Sequence, residues 1–245
     1  MKLDRREFLA SSAAGLAAAS RPLTVSPEDD PLGVRKDFPA ATNCTYLNTP
    51  FIAPPPRSVE EAGIEFLRAK TSGRRTHGGM FETTDEARGL FASLFGAKPE
   101  EVAFLFTTSE GENIVTAGLD WKAGDNVVID DLHFETTYVL YKTLEKTKGI
   151  EVRVARSVDG RADPERFEPL VDARTRILSV SWVSHQNGFR HDLKSLAELA
   201  HAHGAYLYTD GIQALGMFQT NLHDEGVDFV TSGTYKWLLA AYGVA

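Results

Sequence analysis

The chain of 245 residues is 42% hydrophobic and 24% charged, proportions of a folded protein with a sizeable core that exclude wholesale disorder. Its formal net charge of -8, with Lys and Arg scattered rather than striped, excludes nucleic acid as the expected partner. Cys44 is the single cysteine, which excludes an internal disulfide framework and a multi-thiolate zinc site; it reads as a small buried residue, and no metal site is expected.

In chain order, residues 1–20 stand apart. Arg5-Arg6 precedes the weakly apolar stretch from Ala10 to Ala19, in which Ala17-Ala18-Ala19 resembles a cleavage site. The pattern is similar to a twin-arginine export signal; an ordinary N-terminus that happens to carry two arginines is the alternative. The stretch is too short for a permanent membrane anchor. Twin-arginine export machinery is therefore an expected partner, with a periplasmic or exported destination, or a cytoplasmic one if the arginine pair is incidental.

Residues 21–45, rich in Pro, Asp and small residues, read as a linker and a loosely ordered arm, with the folded part beginning near Tyr46. Pro54-Pro55-Pro56 stops regular structure, and Ser58 then caps a helix whose apolar face is Val59, Ala62, Ile64, Phe66 and Leu67. A glycine-broken loop is expected over 71–80. The next helix, over 84–95, places Ala87, Leu90, Phe91 and Leu94 on one stripe. Thereafter strands alternate with helices, the strands falling at 102–106, 126–130, 151–155, 176–182, 205–209 and 227–231. Short runs of Val, Ile, Leu and Phe suit strands covered on both faces, which implies a mostly parallel, doubly wound α/β sheet. The clearest helix covers 193–202, with Leu193, Leu196, Ala197 and Ala200 on one stripe, Asp192 as its cap and Gly204 at its end.

Such sheets bind ligands beyond the carboxyl ends of their strands, which is where the chemically informative residues fall. The run from Thr107 to Asn113 presents hydroxyls and backbone N–H groups at a helix N-terminus. It reads as an anion cradle in which Ser109 or Thr108 donates to a phosphate and Gly111 permits close approach; a plain helix cap is the alternative. Asp210-Gly211-Ile212-Gln213 aims a carboxylate and an amide at one flat ligand, or else is an N-capping Asp with a solvent-facing Gln. Lys236, between Tyr235 and Trp237, is either a desolvated amine able to form a Schiff base with an aldehyde or a lysine reaching past aromatic surface to water. Asp210 and Lys236 together suit pyridoxal phosphate, whose ring becomes an electron sink when an acid keeps its nitrogen protonated. Phe134 either stacks on such a ring or is an ordinary core aromatic, and His185, Gln186 and Asn187 are placed to meet a cofactor oxygen or a substrate carboxylate. His133 reads as a polar loop residue, and His201 and His203 as surface. There is no G-x-G-x-x-G or Walker pattern to support a dinucleotide or nucleoside triphosphate.

The run Gly204-Ala-Tyr-Leu-Tyr-Thr-Asp210-Gly-Ile-Gln213-Ala-Leu-Gly216, followed by Asp228 and Lys236-Trp237-Leu238, resembles the class V aminotransferase family of fold-type I pyridoxal-phosphate enzymes. The resemblance extends from about Tyr46 to the C-terminus. It implies that Lys236 is the Schiff-base lysine and catalytic base, Asp210 the partner of the pyridinium nitrogen, and Gln213 the donor to the phenolic oxygen. Ser109, Glu110 and Gly111 match the phosphate loop, Phe134 the stacked residue, and Ser232 or Thr234 a further phosphate contact; His185 joins the cofactor set. Tyr46-Leu47-Asn48-Thr49 is similar to an entry segment near the substrate. A small amino-acid substrate and a homodimer are implied as well. Tyr235 and Gly233 stand where cysteine desulfurases have His and Ser, closer to the isopenicillin-N-epimerase-like branch. Family members continue through another strand and a small C-terminal domain, whereas this sequence stops at Gly243-Val244-Ala245, so 46–245 is expected to form an incomplete large domain. Transfer, epimerisation and elimination remain open as reactions; the alternative is an exported, non-catalytic or degenerate protein that keeps the fold without turnover.

Overall fold

The structure, a computed structural model, describes residues 30–74 and 77–245; the segment read as an export signal lies outside the described residues. Five parallel strands, β1 (Asn126–Asp130), β2 (Glu151–Ala155), β3 (Thr175–Ser181), β4 (Tyr206–Asp210) and β5 (Phe229–Thr231), form one sheet in the order β2-β1-β3-β4-β5. Successive strand residues point to opposite faces. Val128, Leu178, Val180 and Leu207 therefore enter one buried cluster, while Val127, Ile129, Ile177 and Tyr208 enter another. Both faces are apolar, which explains why the strands read as unbroken hydrophobic runs.

Seven helices accompany the sheet among the described residues: α1 (Pro39–Asn43), α2 (Arg57–Thr71), α3 (His77–Phe95), α4 (Thr108–Ala117), α5 (Glu135–Lys148), α6 (Leu193–Ala202) and α7 (Leu222–Glu225). Leu193, Leu196, Ala197 and Ala200 of α6 are buried against the first cluster, as their spacing predicts. Asp192 accepts from the Ser195 N–H, and Gly204 leaves the helix with φ +73°. Tyr141 of α5 fills the second cluster. The sheet is thus covered on both sides, and the doubly wound α/β expectation holds.

Several expectations are corrected. Residues 102–106 are not a strand: Leu105 exchanges both backbone hydrogen bonds with Ala245, each 2.8 Å, and no further ladder forms among the described residues. An apolar run becomes a strand only where neighbours accept its hydrogen bonds. α2 begins at Arg57 with no side-chain cap, and none of its residues is buried. α3 begins at His77, inside the expected loop. It buries Ala92 and Phe95, with Phe91 packed on the core, and leaves Leu90 and Leu94 exposed. The ring centroids of Phe91 and Phe95 lie 4.8 Å apart. The arm over 30–45 contains α1 and a 3-10 turn at Arg35–Asp37, and Cys44 is exposed rather than buried.

Strand order reverses direction between β1 and β3, and the crevice beyond their carboxyl ends is the topological place for a ligand. Ser181 of β3 pairs in register with Asp210 of β4, which pairs with Thr231 of β5, so three strand ends meet on one rim.

Candidate active site

On that rim lies a cavity of about 250 Å3, lined by Thr107, Thr108, Ser109, Phe134, Ser181, His185, Asp210, Gln213, Tyr235 and Lys236 among others. Its polar groups come from five separate parts of the chain. Thr107 caps α4 by accepting from the Glu110 N–H at 3.1 Å, and Glu110 returns its carboxylate to the Phe106 N–H at 2.8 Å. This reciprocal cap fixes the first turn of α4, whose positive end opens on the cavity. Ser109 shares a hydrogen bond of 3.1 Å with Thr136 of α5.

Asp210 ends β4 and is buried. One carboxylate oxygen accepts from the Ile212 N–H at 2.9 Å, but burial dominates and pushes the acid up to about 6. Lys236 is half-buried, and its ammonium is pushed below the usual lysine range by the same desolvation, against the attraction of Asp210. Its Nζ lies 5.9 Å from the centre of the Tyr235 ring. Gln213 is held from two sides: its Nε2 donates to the Pro50 carbonyl at 2.8 Å, and its Oε1 accepts from Trp237 Nε1 at 2.9 Å. Phe134 meets His185 edge to face at 5.2 Å on the opposite wall.

Behind Phe134 lies a buried polar network. Its backbone N–H donates to His133 Nδ1 at 2.7 Å, so the ring proton sits on Nε2 and points to Ser179 Oγ at 3.1 Å. Ser179 donates in turn to Glu112 at 2.7 Å, and Thr137 donates to its other oxygen at 2.8 Å. Burial raises Glu112 to about 7, which the two hydroxyls only partly offset, and lowers His133 to about 4. His133 thus lies in the loop after β1, as expected, but is buried and neutral rather than exposed.

Of the residues singled out from sequence, Lys236, Asp210, Gln213, Ser109, Phe134 and His185 come together around the cavity. Glu110, Gly111, Ser232 and Thr234 do not line it. Glu110 is engaged by Phe106; Gly111 faces β5, where an added Cβ would stand 2.2 Å from Thr231 Cγ2. Ser232 and Thr234 donate to the carbonyls of Gly233 and Val244. Sequence reasoning missed Glu112, Ser179 and Ser181, whose hydroxyl or acid groups resemble surface residues in any hydropathy pattern. It also passed over Trp237, although an indole N–H beside the key lysine is a donor that must find an acceptor once buried. Among the described residues no group of three or more His, Cys, Asp or Glu is placed to hold a metal, and no helix is long and apolar enough to cross a membrane.

Comparison with known proteins bears on this arrangement. A probable cysteine desulfurase of Methanothermobacter thermautotrophicus is 30% identical over 216 residues, covering 86% of this chain and 54% of the relative. The apo structure of a cysteine desulfurase from Thermococcus onnurineus NA1 superposes with a TM-score of 0.78 at 26% identity, covering 91% of this chain and 57% of that one. A C-DES mutant with glycine covalently linked to its pyridoxal-phosphate cofactor shares the fold, with a TM-score of 0.79 at 20% identity, over 86% of this chain and 57% of that one. The chain therefore spans a little over half the length of these relatives. The family model "Aminotransferase class-V" matches residues 46–245, and the chain belongs to that family of pyridoxal-phosphate-dependent enzymes.

Proposed function

We propose that this chain carries the cofactor-binding part of a pyridoxal-phosphate enzyme acting at the α-carbon of a small amino acid. The observation that carries the reading is the convergence of Lys236, Asp210, Gln213 and the N-terminus of α4 on one cavity. The donor set fits the group. The first turn of α4 with Thr108 and Ser109 suits a phosphate, a buried acid at about 6 suits a cationic ring nitrogen, and the Gln213 amide suits a ring oxygen. Phe134 supplies a face for the ring. Bound here, the cofactor would supply an electron sink for the charge left when a bond at the substrate α-carbon breaks.

The residues of the chain do the rest. Burial lowers the Lys236 ammonium below the usual lysine range and so favours the uncharged amine, the form whose Nζ would bind the cofactor aldehyde and, once released, would hold the proton taken from the α-carbon. Asp210 would hold the proton of the ring nitrogen, because a carboxylate in this buried setting is favoured by a cationic partner. Ser181 and His185 line the same cavity as Asp210 and would be within reach of a bound substrate. Tyr235 and Gly233, in place of the desulfurase His and Ser, support the isopenicillin-N-epimerase-like branch. Dimerisation and twin-arginine export, the latter supported by Arg5-Arg6 and Ala17-Ala18-Ala19, belong to the same proposal.

The test is to incubate the chain with pyridoxal phosphate, reduce it with borohydride and map the peptides. A pyridoxyl group on Lys236, absent in Lys236→Ala, is the expected outcome; labelling elsewhere, or none, overturns the reading. Bleaching of the visible band by one amino acid among a panel then separates turnover from cofactor retention alone.

A further inference from the structure

Gln213 is the point where three distant segments meet. Pro50 belongs to the turn ahead of α2, Gln213 to the turn after β4, and Trp237 to the turn that carries Lys236. Pro50 and Gln213 are 163 residues apart in sequence. The same stretch is tied a second time to the lysine turn, the Ala53 N–H donating to the Tyr235 carbonyl at 3.0 Å.

The partners leave the amide no choice of orientation. An indole nitrogen only donates and a proline carbonyl only accepts, so Oε1 must face Trp237 and Nε2 must face Pro50. A flipped amide would set donor against donor and acceptor against acceptor. Nε2 carries two protons. With one committed to Pro50, the other is the group left to address the cavity that Gln213 lines.

We propose that Trp237 is a positioning residue: by occupying Gln213 Oε1 it makes the side chain of Gln213 a donor, never an acceptor, toward a bound ring oxygen. The proposal rests on the pyridoxal-phosphate reading above. An amide locked as a donor favours the ionised form of that oxygen over the hydroxyl. Trp237 therefore tunes the cofactor through Gln213 without touching it.

A double-mutant cycle on pyridoxal phosphate affinity tests this, with titrations of the wild type, Trp237→Phe, Gln213→Leu and the double variant. Loss of the indole donor in the wild-type background is expected to weaken binding about fivefold, the value of one net hydrogen bond, and to have no effect when Gln213 is already Leu. The pH midpoint of the bound cofactor's visible band is expected to rise in Trp237→Phe. An equal loss in both backgrounds, which packing alone would produce, overturns the proposal, as does no loss in either. If the wild type takes up no pyridoxal phosphate, the proposed function falls and this inference with it; if it binds but Trp237→Phe binds equally well, this inference alone falls. Should Trp237→Phe fail to fold, solvent exchange of the Trp237 indole proton in the cofactor-free chain decides. Protection in the wild type that disappears in Gln213→Leu supports the bond, and unchanged exchange overturns it.

Discussion

Asp210 and Glu112 are two buried acids within one polar region, and both carry a proton more tightly than an exposed carboxyl does. For Glu112, held at about 7 against 4.5 for the free group, the folded chain keeps a proton that the unfolded chain has lost between those values. Its contribution to stability therefore falls as pH rises from about 4.5 to 7, by on the order of 3 kcal/mol. His133, lowered from 6.5 to about 4, acts in the opposite direction over an overlapping window. Glu112→Gln removes only the first effect. Denaturant titrations at a series of pH values are expected to show the variant gaining on the wild type as pH climbs from 4.5 to 7; a constant difference would mean that Glu112 is ionised when folded. At this scale the sequence was informative where chemistry and strand ends coincide, as for Lys236, Asp210 and Gln213. It was silent on Glu112 and on the burial of His133, because a polar residue inside a core is defined by its partners, Ser179 and Thr137 here, and those lie far away in sequence.

Helix α4 is positioned by a close approach as well as by its polar residues. Gly111 lies against β5, so a methyl group there collides with Thr231 Cγ2. Gly111→Ala is expected to destabilise the chain by about 1–3 kcal/mol and to move the first turn of α4 out of line with the cavity. Thr231→Ser removes the offending methyl and keeps the hydroxyl that bonds Tyr208, so the double variant should regain most of the loss in thermal unfolding. If it does not, the approach at Gly111 is not what limits that packing. Strands β1, β3 and β4 were legible because most of their residues are buried on both faces and the apolar run needs no phase. Helix α3 was misread in phase: Leu90 and Leu94 fit the helical period as well as Phe91 and Phe95 do, and only the position of the sheet decides which pair is covered. Residues 102–106 have strand composition, yet a strand is a property of a pair.

For the whole molecule, alternation of strands and helices foretold the doubly wound sheet, while the order β2-β1-β3-β4-β5 and the reversal point between β1 and β3 had to be seen. The reversal point gathers the ends of β1, β3 and β4, and the stretch around Pro50 braces Gln213 of the cavity wall through its carbonyl. Truncation separates these contributions. Removing residues 1–45 should leave pyridoxal phosphate affinity unchanged, whereas removing 1–53 deletes the Pro50 and Ala53 bonds and should weaken it at least fivefold. Equal affinity of the two truncated forms, with circular dichroism confirming that both are folded, would show that the stretch is ornamental to the site.

The bond between Pro50 and Gln213 also sets an order of events during synthesis. The two residues are separated by 163 positions, so at about 5–20 residues per second the proline waits on the order of ten to thirty seconds before its partner has been made. Trp237 arrives later still. Throughout that interval the nascent chain has no finished cradle, and the vitamin-derived group can be taken up securely only after the ribosome has passed the lysine proposed to hold it.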